Sequence, residues 1–255
     1  MTDFLNAYEP IRYGVTGTDT GIGKTVVACA LAARARTLGY RVAAMKPVES
    51  GVATRAVSIG GLASDADRLA AASGSTLPRS AMCPYVLEEP LAPMIAALRA
   101  GVSIDLDALD AALAVVEAGA EMVLVEGAGG ILVPITPDAS FLDLFARWQL
   151  PLLLVAGNRL GVLNHVLLTV RAAEAAGVAV RAIVLTALSD CDASVAEATN
   201  FDALTTLLPH HTILRFPWVD RPDDADALAA AAEGAGFDLL LSPAAALGGT
   251  TALSS

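Results

Sequence analysis

The sequence has few cysteines and a deficit of basic side chains. Cys29, Cys83 and Cys191 are the only three cysteines among 255 residues, and none belongs to a C-x-x-C pair. This pattern argues against a disulfide framework and against a zinc site, and it favours a reducing compartment such as the cytoplasm. Sixteen basic and 27 acidic side chains give a net charge of −11, which disfavours nucleic acid as a partner.

The sequence also lacks a long hydrophobic run. The most apolar stretch, Leu150–Gly157, ends at Asn158, well short of the ~18 residues that span a bilayer. The first ten residues have no basic region of the kind that opens a signal peptide. We therefore expect a cytoplasmic protein with no membrane partner. We further expect a single domain over residues 1–255, with residues 1–10 as an N-terminal extension.

Short apolar runs alternate with Ala- and Leu-rich helical stretches along the chain. Because the runs are apolar throughout, they predict strands buried on both faces, hence an α/β fold with a mostly parallel central sheet and helices on both faces. The predicted strands are Ile11–Thr16, Arg41–Lys46, Met122–Glu126, Pro151–Ala156, Val180–Leu185 and Thr212–Phe216. The predicted helices are Lys24–Leu38, Ser64–Ala72, Asp105–Ala118, Phe141–Trp148, Gly161–Ala176 and Val195–Leu208. Val52–Gly61 and Cys83–Pro93 are interpreted as long functional loops.

A glycine-rich segment, G-T-D-T-G-I-G-K-T over residues 17–25, follows a predicted strand and opens a predicted helix. That context predicts a phosphate-binding loop whose backbone N–H groups hold nucleotide phosphates. Lys24 would reach the β- and γ-phosphates, and the Thr25 hydroxyl would bind Mg²⁺. The spacing between Gly17 and Gly23 is one residue longer than the usual P-loop pattern. A glycine-rich turn without a ligand is the alternative, whereas the G-x-G-x-x-G spacing of dinucleotide folds is absent.

Lysine is almost missing, since 14 of the 16 basic residues are arginines and only Lys24 and Lys46 are lysines. Lysine is a compact point charge and arginine a planar fork, so a site close to phosphate oxygens favours lysine. Lys46 ends a predicted strand, and Pro47 favours an extended loop after it. We expect Lys46, followed by Ser50, to point into the same cleft as Lys24. An exposed lysine at a strand end is the alternative.

Carboxylates stand at a predicted strand end and at a predicted helix start, two places where parallel α/β folds form their sites. Glu126 ends a predicted strand and is followed by small residues, so it is expected to face the phosphate loop and approach Mg²⁺. Asp65 and Asp67 stand at a predicted helix start, where capping is the usual role. We select Asp65 as the second Mg²⁺ carboxylate and place Asp67 on the solvated face of the helix.

Six motifs occur in order: G-T-D-T-x-x-G-K-T, K-P-V-x-S-G, S-D-A, P-Y-x-x-x-x-P-x-x-P, V-E-G-A-G-G and L-G-x-L-N-H. Together they resemble the dethiobiotin synthetase family over nearly the whole chain. The resemblance implies a P-loop NTPase fold and an ATP-dependent ligase of biotin synthesis that requires Mg²⁺. It also implies ureido ring closure from 7,8-diaminononanoate and CO₂ or bicarbonate, through a carbamate and a mixed anhydride with phosphate.

The resemblance further implies roles for individual residues. Lys24 and Lys46 would be catalytic, and Thr25, Asp65 and Glu126 would hold Mg²⁺. Nucleotide contacts are expected from Gly21, Ile22, Gly23, Lys24, Thr25, Val26, Asp65, Glu126, Gly127, Ala128, Gly129, Thr186, Pro217, Trp218, Val219 and Asp224. Ser50 would lie near the diamine and its carbamate. The glycines of V-E-G-A-G-G would lie against ligands where side chains would not fit.

The motif L-G-x-L-N-H is expected to bind the carboxylate end of the diamine. It opens a predicted helix, and a helix N-terminus is a suitable carboxylate site. In the family this segment comes from the neighbouring subunit, so the resemblance implies a homodimer with shared active sites. The N–H groups of Gly161 and Val162 and the Asn164 amide would then reach across the interface.

Two other P-loop classes are alternatives. A ParA/MinD-type partition or targeting ATPase shares the expected fold, but such proteins have a lysine soon after the first glycine of the loop, where Thr18 and Asp19 stand here. An amidotransferase-linked ATPase of cobalamin synthesis would need a fused glutaminase domain, for which 255 residues leave no room. Neither class accounts for L-G-x-L-N-H as well.

Overall fold

The computed structural model describes residues 10–52, 64–191 and 194–241. Its strands are β1 (Ile11–Gly17), β2 (Val42–Met45), β3 (Val48–Ser50), β4 (Tyr85–Leu87), β5 (Met122–Gly130), β6 (Pro134–Thr136), β7 (Ala139–Ser140), β8 (Leu152–Gly157), β9 (Val180–Thr186) and β10 (Thr212–Phe216). Six of them form a sheet in the order β10-β9-β8-β1-β5-β2, and every neighbouring pair is parallel. The pairs β3-β4 and β6-β7 are small separate sheets.

Nine α-helices connect or follow these strands within the described residues. They are α1 (Lys24–Thr37), α2 (Asp65–Ser73), α3 (Arg79–Met82), α4 (Pro93–Ala100), α5 (Leu106–Glu117), α6 (Phe141–Arg147), α7 (Val162–Ala175), α8 (Val195–Leu207) and α9 (Ala225–Gly234). A 3₁₀ turn, Phe237–Leu240, follows them. The longest helices have 14 residues, and none in the described parts of the chain has the length and apolar character needed to cross a membrane.

The sheet is buried on both faces because successive side chains of its strands enter different cores. Leu124 of β5 packs in one core with Leu31 of α1 and Leu228 of α9. Its neighbours Val123 and Val125 pack in the other, which includes residues of α5 and α6. Strands buried in this way need apolar residues at every position, which explains their continuous hydrophobic runs.

The predicted α/β fold with a parallel central sheet and helices is confirmed, with differences in detail. The strand predicted as Met122–Glu126 continues to Gly130, with a shift of register against β1 before Gly130 and a φ of +65° at Gly129. The stretch Cys83–Pro93 contains β4 and is not a plain loop. Apart from Val52, the predicted loop Val52–Gly61 lies outside the described residues, as do residues 1–9. Four helical elements were not predicted: α3, α4, α9 and the 3₁₀ turn.

The register of the central strands brings the expected functional segments to one edge. Val15 of β1 pairs with Glu126 of β5, so Glu126 lies beside the strand end from which the glycine-rich loop departs. Met45, the last residue of β2, pairs with Val125, and Lys46 follows it directly. Because all these strands are parallel, their carboxyl ends meet in one place, which is where sites form in open α/β sheets.

Candidate active site

The glycine-rich loop leads directly into helix α1. Gly23 caps the helix with φ +91°, a conformation that favours glycine, and no side chain bonds the N–H groups of the first turn as a cap. Those N–H groups are available to an anion. The ammonium of Lys24 donates to the main-chain oxygen of Asp19 at 2.7 Å, which holds the lysine inside its own loop.

Lys46 lies at the centre of the site. Its Nζ is 2.6 Å from Glu126 Oε1 and 2.9 Å from Asp65 Oδ2, and it also donates to the main-chain oxygen of Gly127 at 3.3 Å. The Lys46 side chain is only 4% exposed. All three donors of the ammonium therefore have acceptors, and this converging arrangement suits a compact ammonium better than a planar guanidinium.

The two lysines differ in their electrostatics. Burial lowers the pKa of Lys24 to about 8, and the Glu126 carboxylate opposes this effect only in part. Burial would also lower the pKa of Lys46, but Glu126 and Asp65 together outweigh it and raise that pKa above its usual value. Burial would raise the pKa of Asp65, yet the Lys46 ammonium outweighs burial and holds it below its usual value. Lys46 is thus a permanent cation, whereas Lys24 can lose its proton at mildly alkaline pH.

The oxygens near the glycine-rich loop form a donor set suited to Mg²⁺. Thr25 Oγ1 donates to Glu126 Oε1 at 2.8 Å, and Asp65 reaches the same cluster through Lys46. Glu126 is fully buried, and its Oε2 atom has no hydrogen-bond partner among the described residues. A buried carboxylate oxygen without a partner is a ready position for a cation. The described residues contain no group of three or more His, Cys, Asp or Glu side chains arranged for a metal, so phosphate oxygens and water would have to complete the shell.

The two aspartates at the start of α2 face different partners. Asp65 faces Lys46, as described above. Asp67 forms an ion pair with Arg79 and accepts a hydrogen bond from Ser64 Oγ at 2.8 Å. The Asp67 carboxylate is partly exposed, as expected for the outer face of the helix, but it is also held by Arg79 of α3, a contact that the sequence did not indicate.

Sequence reasoning missed Glu49, which is 5% exposed and lines the same cleft as Ser50. Its carboxylate accepts hydrogen bonds from the main-chain N–H groups of Asp65 and Ala66. The one available signal was an acidic residue directly after the apolar Val48, close to the end of a buried strand, where an acidic residue is uncommon.

A single large cleft of about 760 Å³ contains most of the expected residues. The expected residues that line it are Gly21, Ile22, Gly23, Lys24, Thr25, Val26, Lys46, Ser50, Asp65, Glu126, Ala128, Gly129, Thr186, Pro217, Trp218 and Val219. The loop residues and both lysines thus share one cleft with a second segment, Pro217–Val219, that follows β10. The two segments come from opposite halves of the chain.

Two residues expected to contact the nucleotide, Gly127 and Asp224, do not line the cleft, although the main-chain oxygen of Gly127 accepts from Lys46. A Cβ on Gly127 would meet Phe141 Cδ1 at 3.2 Å, so aromatic rings of the core fill the space beside this glycine. Asp224 is the N-cap of α9: its Oδ1 accepts from the N–H groups of Asp226 and Ala227 at 3.0 and 3.1 Å, and the carboxylate pairs with Arg221. The structure therefore assigns Asp224 to helix capping, and Asp220 and Pro222 of the same segment line the cleft instead.

At the end of the cleft formed by Thr186 and Trp218, the polar side chains bond to main-chain oxygens or to a near neighbour in sequence. Thr186 is 4% exposed, and its hydroxyl bonds to the main-chain oxygens of Ile22 and Ala156 at 2.7 and 3.3 Å. Trp218 is 48% exposed and donates from its indole N–H to Asp220 at 2.8 Å. The Thr186 hydroxyl thus supports the glycine-rich loop, and the indole offers an accessible flat surface.

The segment expected to bind a carboxylate lies outside the cleft of its own chain. Gly161 caps α7 with φ +93°, and Gly161 and Asn164 are exposed, whereas Val162 is buried in the core. Arg159, two residues before the cap, donates to Asp19 Oδ2 at 2.7 Å. This contact ties the loop before α7 to the glycine-rich loop of the same chain.

Known proteins are similar in sequence to most of this chain. The family model described as an AAA domain matches residues 12–224. The ATP-dependent dethiobiotin synthetase BioD of Anaeromyxobacter sp. (strain Fw109-5) is 42% identical over 201 residues, which covers 76% of this chain and 87% of the relative. The corresponding protein of Anaeromyxobacter dehalogenans (strain 2CP-C) is 42% identical over 212 residues, covering 83% and 91%. BioD 1 of Escherichia coli O157:H7 is 37% identical over 215 residues, covering 84% and 94%.

Proposed function

Because the chain belongs to the ATP-dependent dethiobiotin synthetases, ligases of biotin biosynthesis, we propose that it closes the ureido ring of dethiobiotin from 7,8-diaminononanoate and CO₂. One amine adds to CO₂ and forms a carbamate. A carbamate oxygen takes the γ-phosphoryl group of ATP, which leaves ADP and a mixed anhydride. The second amine attacks the anhydride carbonyl, the ring closes and phosphate departs.

Negative charge on the transferred phosphoryl group is the main obstacle in this series of steps, and the two lysines would stabilise that charge. Lys24 belongs to the loop that would hold the phosphates, and Lys46 presents a buried ammonium that contacts Glu126, the acceptor of the Thr25 hydroxyl. Preorganised cations in a site shielded from water stabilise developing negative charge strongly. Ser50, which lines the cleft beside Lys46, would orient the carbamate.

Thr25, Asp65 and Glu126 would hold Mg²⁺ together with phosphate oxygens. The metal, when bound, supplies neutralisation of the negative charge shared by the β- and γ-phosphates. Before it binds, Lys46 pairs with both Glu126, which is fully buried, and Asp65, which is partly exposed, and so offsets the repulsion between the two carboxylates. The residues therefore fit the metal, and Lys46 keeps the site intact while ATP is absent.

We also propose a homodimer in which the start of α7 completes the diamine site of the neighbouring subunit. Exposed Gly161 and Asn164 lie at a helix N-terminus that can receive a carboxylate, yet they do not line the cleft of their own chain. Leu160, just before the same helix, is 86% exposed, and Leu168, within it, is 59% exposed. Exposed leucines at the start and within this helix support an interface here.

The observation that carries the enzymatic proposal is the contact of Lys46 with Asp65 and with Glu126, which is itself bonded to Thr25 of the phosphate loop. The test is phosphate release from ATP with and without diaminononanoate plus bicarbonate. We expect the diamine to stimulate release strongly and dethiobiotin to appear in equal amount. Release that is unchanged by the diamine would contradict the synthetase and favour an ATPase of the ParA/MinD type.

The shared site has a separate test. An Asn164→Ala variant and a Lys24→Ala variant damage different parts of the expected site, so hybrid dimers would contain one intact site. Mixing the two inactive variants should restore activity up to about one quarter of wild type, provided that subunits exchange. Demonstrated exchange without recovery would place the whole diamine site within one subunit.

A further inference from the structure

Glu49 is a buried carboxylate for which the proposed reaction has no chemical step. It lies in β3 directly before Ser50 and is 5% exposed. Glu49 Oε1 accepts from the Asp65 N–H at 2.6 Å, and Oε2 accepts from the Ala66 N–H at 3.3 Å. A negative group at a helix N-terminus is favourable, so Glu49 acts as a helix cap supplied from a different strand.

Ser64 provides the rest of the cap. Its Oγ accepts from the Asp67 N–H at 3.2 Å, so the first three N–H groups of α2 all have side-chain acceptors. Arg79 compensates the negative charge there, since its guanidinium donates to Ser64 Oγ at 2.9 Å and lies 3.7 Å from Glu49 Oε2. The start of α2 is therefore fixed from several directions, although N-terminal turns of helices tend to fray without such partners.

A fixed start of α2 is important because Asp65 is its first residue. The main chain of Asp65 is held by Glu49 on one side, and its carboxylate meets Lys46 at 2.9 Å on the other. Glu49 and Asp65 are 16 residues apart in sequence. Bringing the ends of such a segment together costs conformational entropy, which the hydrogen bonds of Glu49 offset.

We propose that Glu49 is a positioning residue that fixes the main chain of Asp65, so that the Asp65 carboxylate faces Lys46 and Glu126 and supports Mg²⁺–ATP binding. This inference rests on the proposed binding of Mg²⁺ and ATP, and it adds a residue to which the family motifs give no role. Its functional group is the acceptor oxygen that meets the Asp65 N–H at 2.6 Å, whereas the contact with Ala66 is the longer one, at 3.3 Å. The length of the side chain therefore matters more than its charge.

Two variants separate length from charge. Glu49→Asp keeps the charge but shortens the side chain by one methylene, which withdraws the acceptors from α2. Glu49→Gln keeps the length and one carbonyl acceptor for the Asp65 N–H. The matched control is Glu121→Gln, because Glu121 Oε2 also accepts a main-chain N–H, that of Arg41 at 2.9 Å, at the opposite end of the sheet.

The readout is the Mg²⁺ concentration that gives half-maximal ATP binding, measured by calorimetry without diamine. We expect Glu49→Asp to raise it at least about fivefold, the size of a lost helix cap, and Glu49→Gln to raise it less than about twofold. Glu121→Gln should leave it unchanged. The inference is overturned if Glu49→Asp lowers only the melting temperature, if Gln is worse than Asp, or if the control shifts equally.

A second measurement uses the wild-type protein and therefore tests the inference even if Glu49→Asp does not fold. In the wild-type protein without metal, the Asp65 and Ala66 amides should exchange their hydrogens slowly, whereas exchange at the rate of an exposed loop would overturn the inference. Failure of the proposed function looks different: wild-type protein would bind Mg²⁺–ATP, yet its phosphate release would not respond to the diamine.

Discussion

The two halves of the cleft hold their side chains by different means. In the phosphate half, defined by Lys24, Thr25, Lys46, Asp65 and Glu126, charged and hydroxyl groups converge at distances of 2.6 to 2.9 Å. In the base half, the part proposed to hold the base and defined by Thr186 and Pro217–Val219, no charged groups converge: Thr186 bonds to a main-chain oxygen and Trp218 to Asp220, two residues away. The phosphate half thus depends on particular charged side chains, whereas the base half offers mainly main-chain groups and a flat aromatic surface. We expect substitutions to have large effects in the first half and small effects in the second.

The largest effect is expected at Lys46. Lys46→Arg conserves charge, but a planar guanidinium does not fit among Glu126, Asp65 and the Gly127 oxygen. Turnover should fall by about 10²- to 10³-fold, the usual loss when a stabilising group of a transition state is removed, while ATP binding stays measurable. Steady-state kinetics and calorimetry check this. Near wild-type product formation would show that any cation at this position suffices.

A somewhat smaller effect is expected at Glu126. Glu126→Gln keeps the shape of the side chain but removes a negative charge that faces Lys46 and the expected metal. The Mg²⁺ requirement of turnover should rise and kcat should fall by about 10- to 100-fold. A Mg²⁺ titration of activity measures both. An unchanged requirement would mean that Glu126 serves Lys46 and not the metal.

The aspartate pair sharpens the comparison within α2. Asp65→Asn should raise the Mg²⁺ requirement, because Asp65 faces Lys46. Asp67→Asn should instead lower the free energy of unfolding by up to about 1 kcal/mol through its loss of the Arg79 ion pair, with little change in the Mg²⁺ requirement. Denaturant unfolding and Mg²⁺ titration on both variants test this. The reverse pattern would mean that Asp67 is the metal carboxylate.

The pH dependence of ATP binding tests the difference between the two lysines. The pKa of Lys24 is lowered to about 8 in the free protein, and triphosphate would raise it, so ATP binding should take up a proton near that pH. ATP affinity should then fall as pH rises above 8, by at most about tenfold per pH unit. Calorimetry in buffers of different ionisation enthalpy measures the uptake. Lys46, whose pKa is raised, should contribute none in this range.

The smallest effect is expected in the base half. Trp218→Ala removes an exposed indole that lines the cleft, and it should weaken ATP binding by only about 2- to 10-fold. Its kcat should stay close to wild type, because the indole is not part of the phosphate half. Equilibrium binding of ATP and GTP measures this effect. A loss as large as that of Lys46→Arg would remove the distinction between the two halves.

The same contrast explains how much could be predicted from the sequence. The parallel sheet and the phosphate half were predictable, because continuous apolar runs and a loop ending in Lys24-Thr25 each have one dominant physical explanation. Asp224 and Gly127 were expected at the nucleotide by resemblance alone. Asp224 caps α9 and Gly127 packs against Phe141, roles that depend on tertiary structure, and contact of either residue with nucleotide stays a prediction. Glu49 was missed because a cap supplied from another strand depends on tertiary structure, and no local pattern indicates it.

The central claim is that Lys46 and the phosphate loop direct the γ-phosphoryl group to a carbamate oxygen and not to water. In that sequence the oxygen between carbon and phosphorus comes from CO₂ and leaves with phosphate when the second amine closes the ring. With ¹⁸O-labelled CO₂, kept labelled by rapid mixing in the presence of diaminononanoate and ATP, mass spectrometry should find one labelled oxygen in the released phosphate. Unlabelled phosphate, which attack of water on the γ-phosphoryl group would give, would contradict the account.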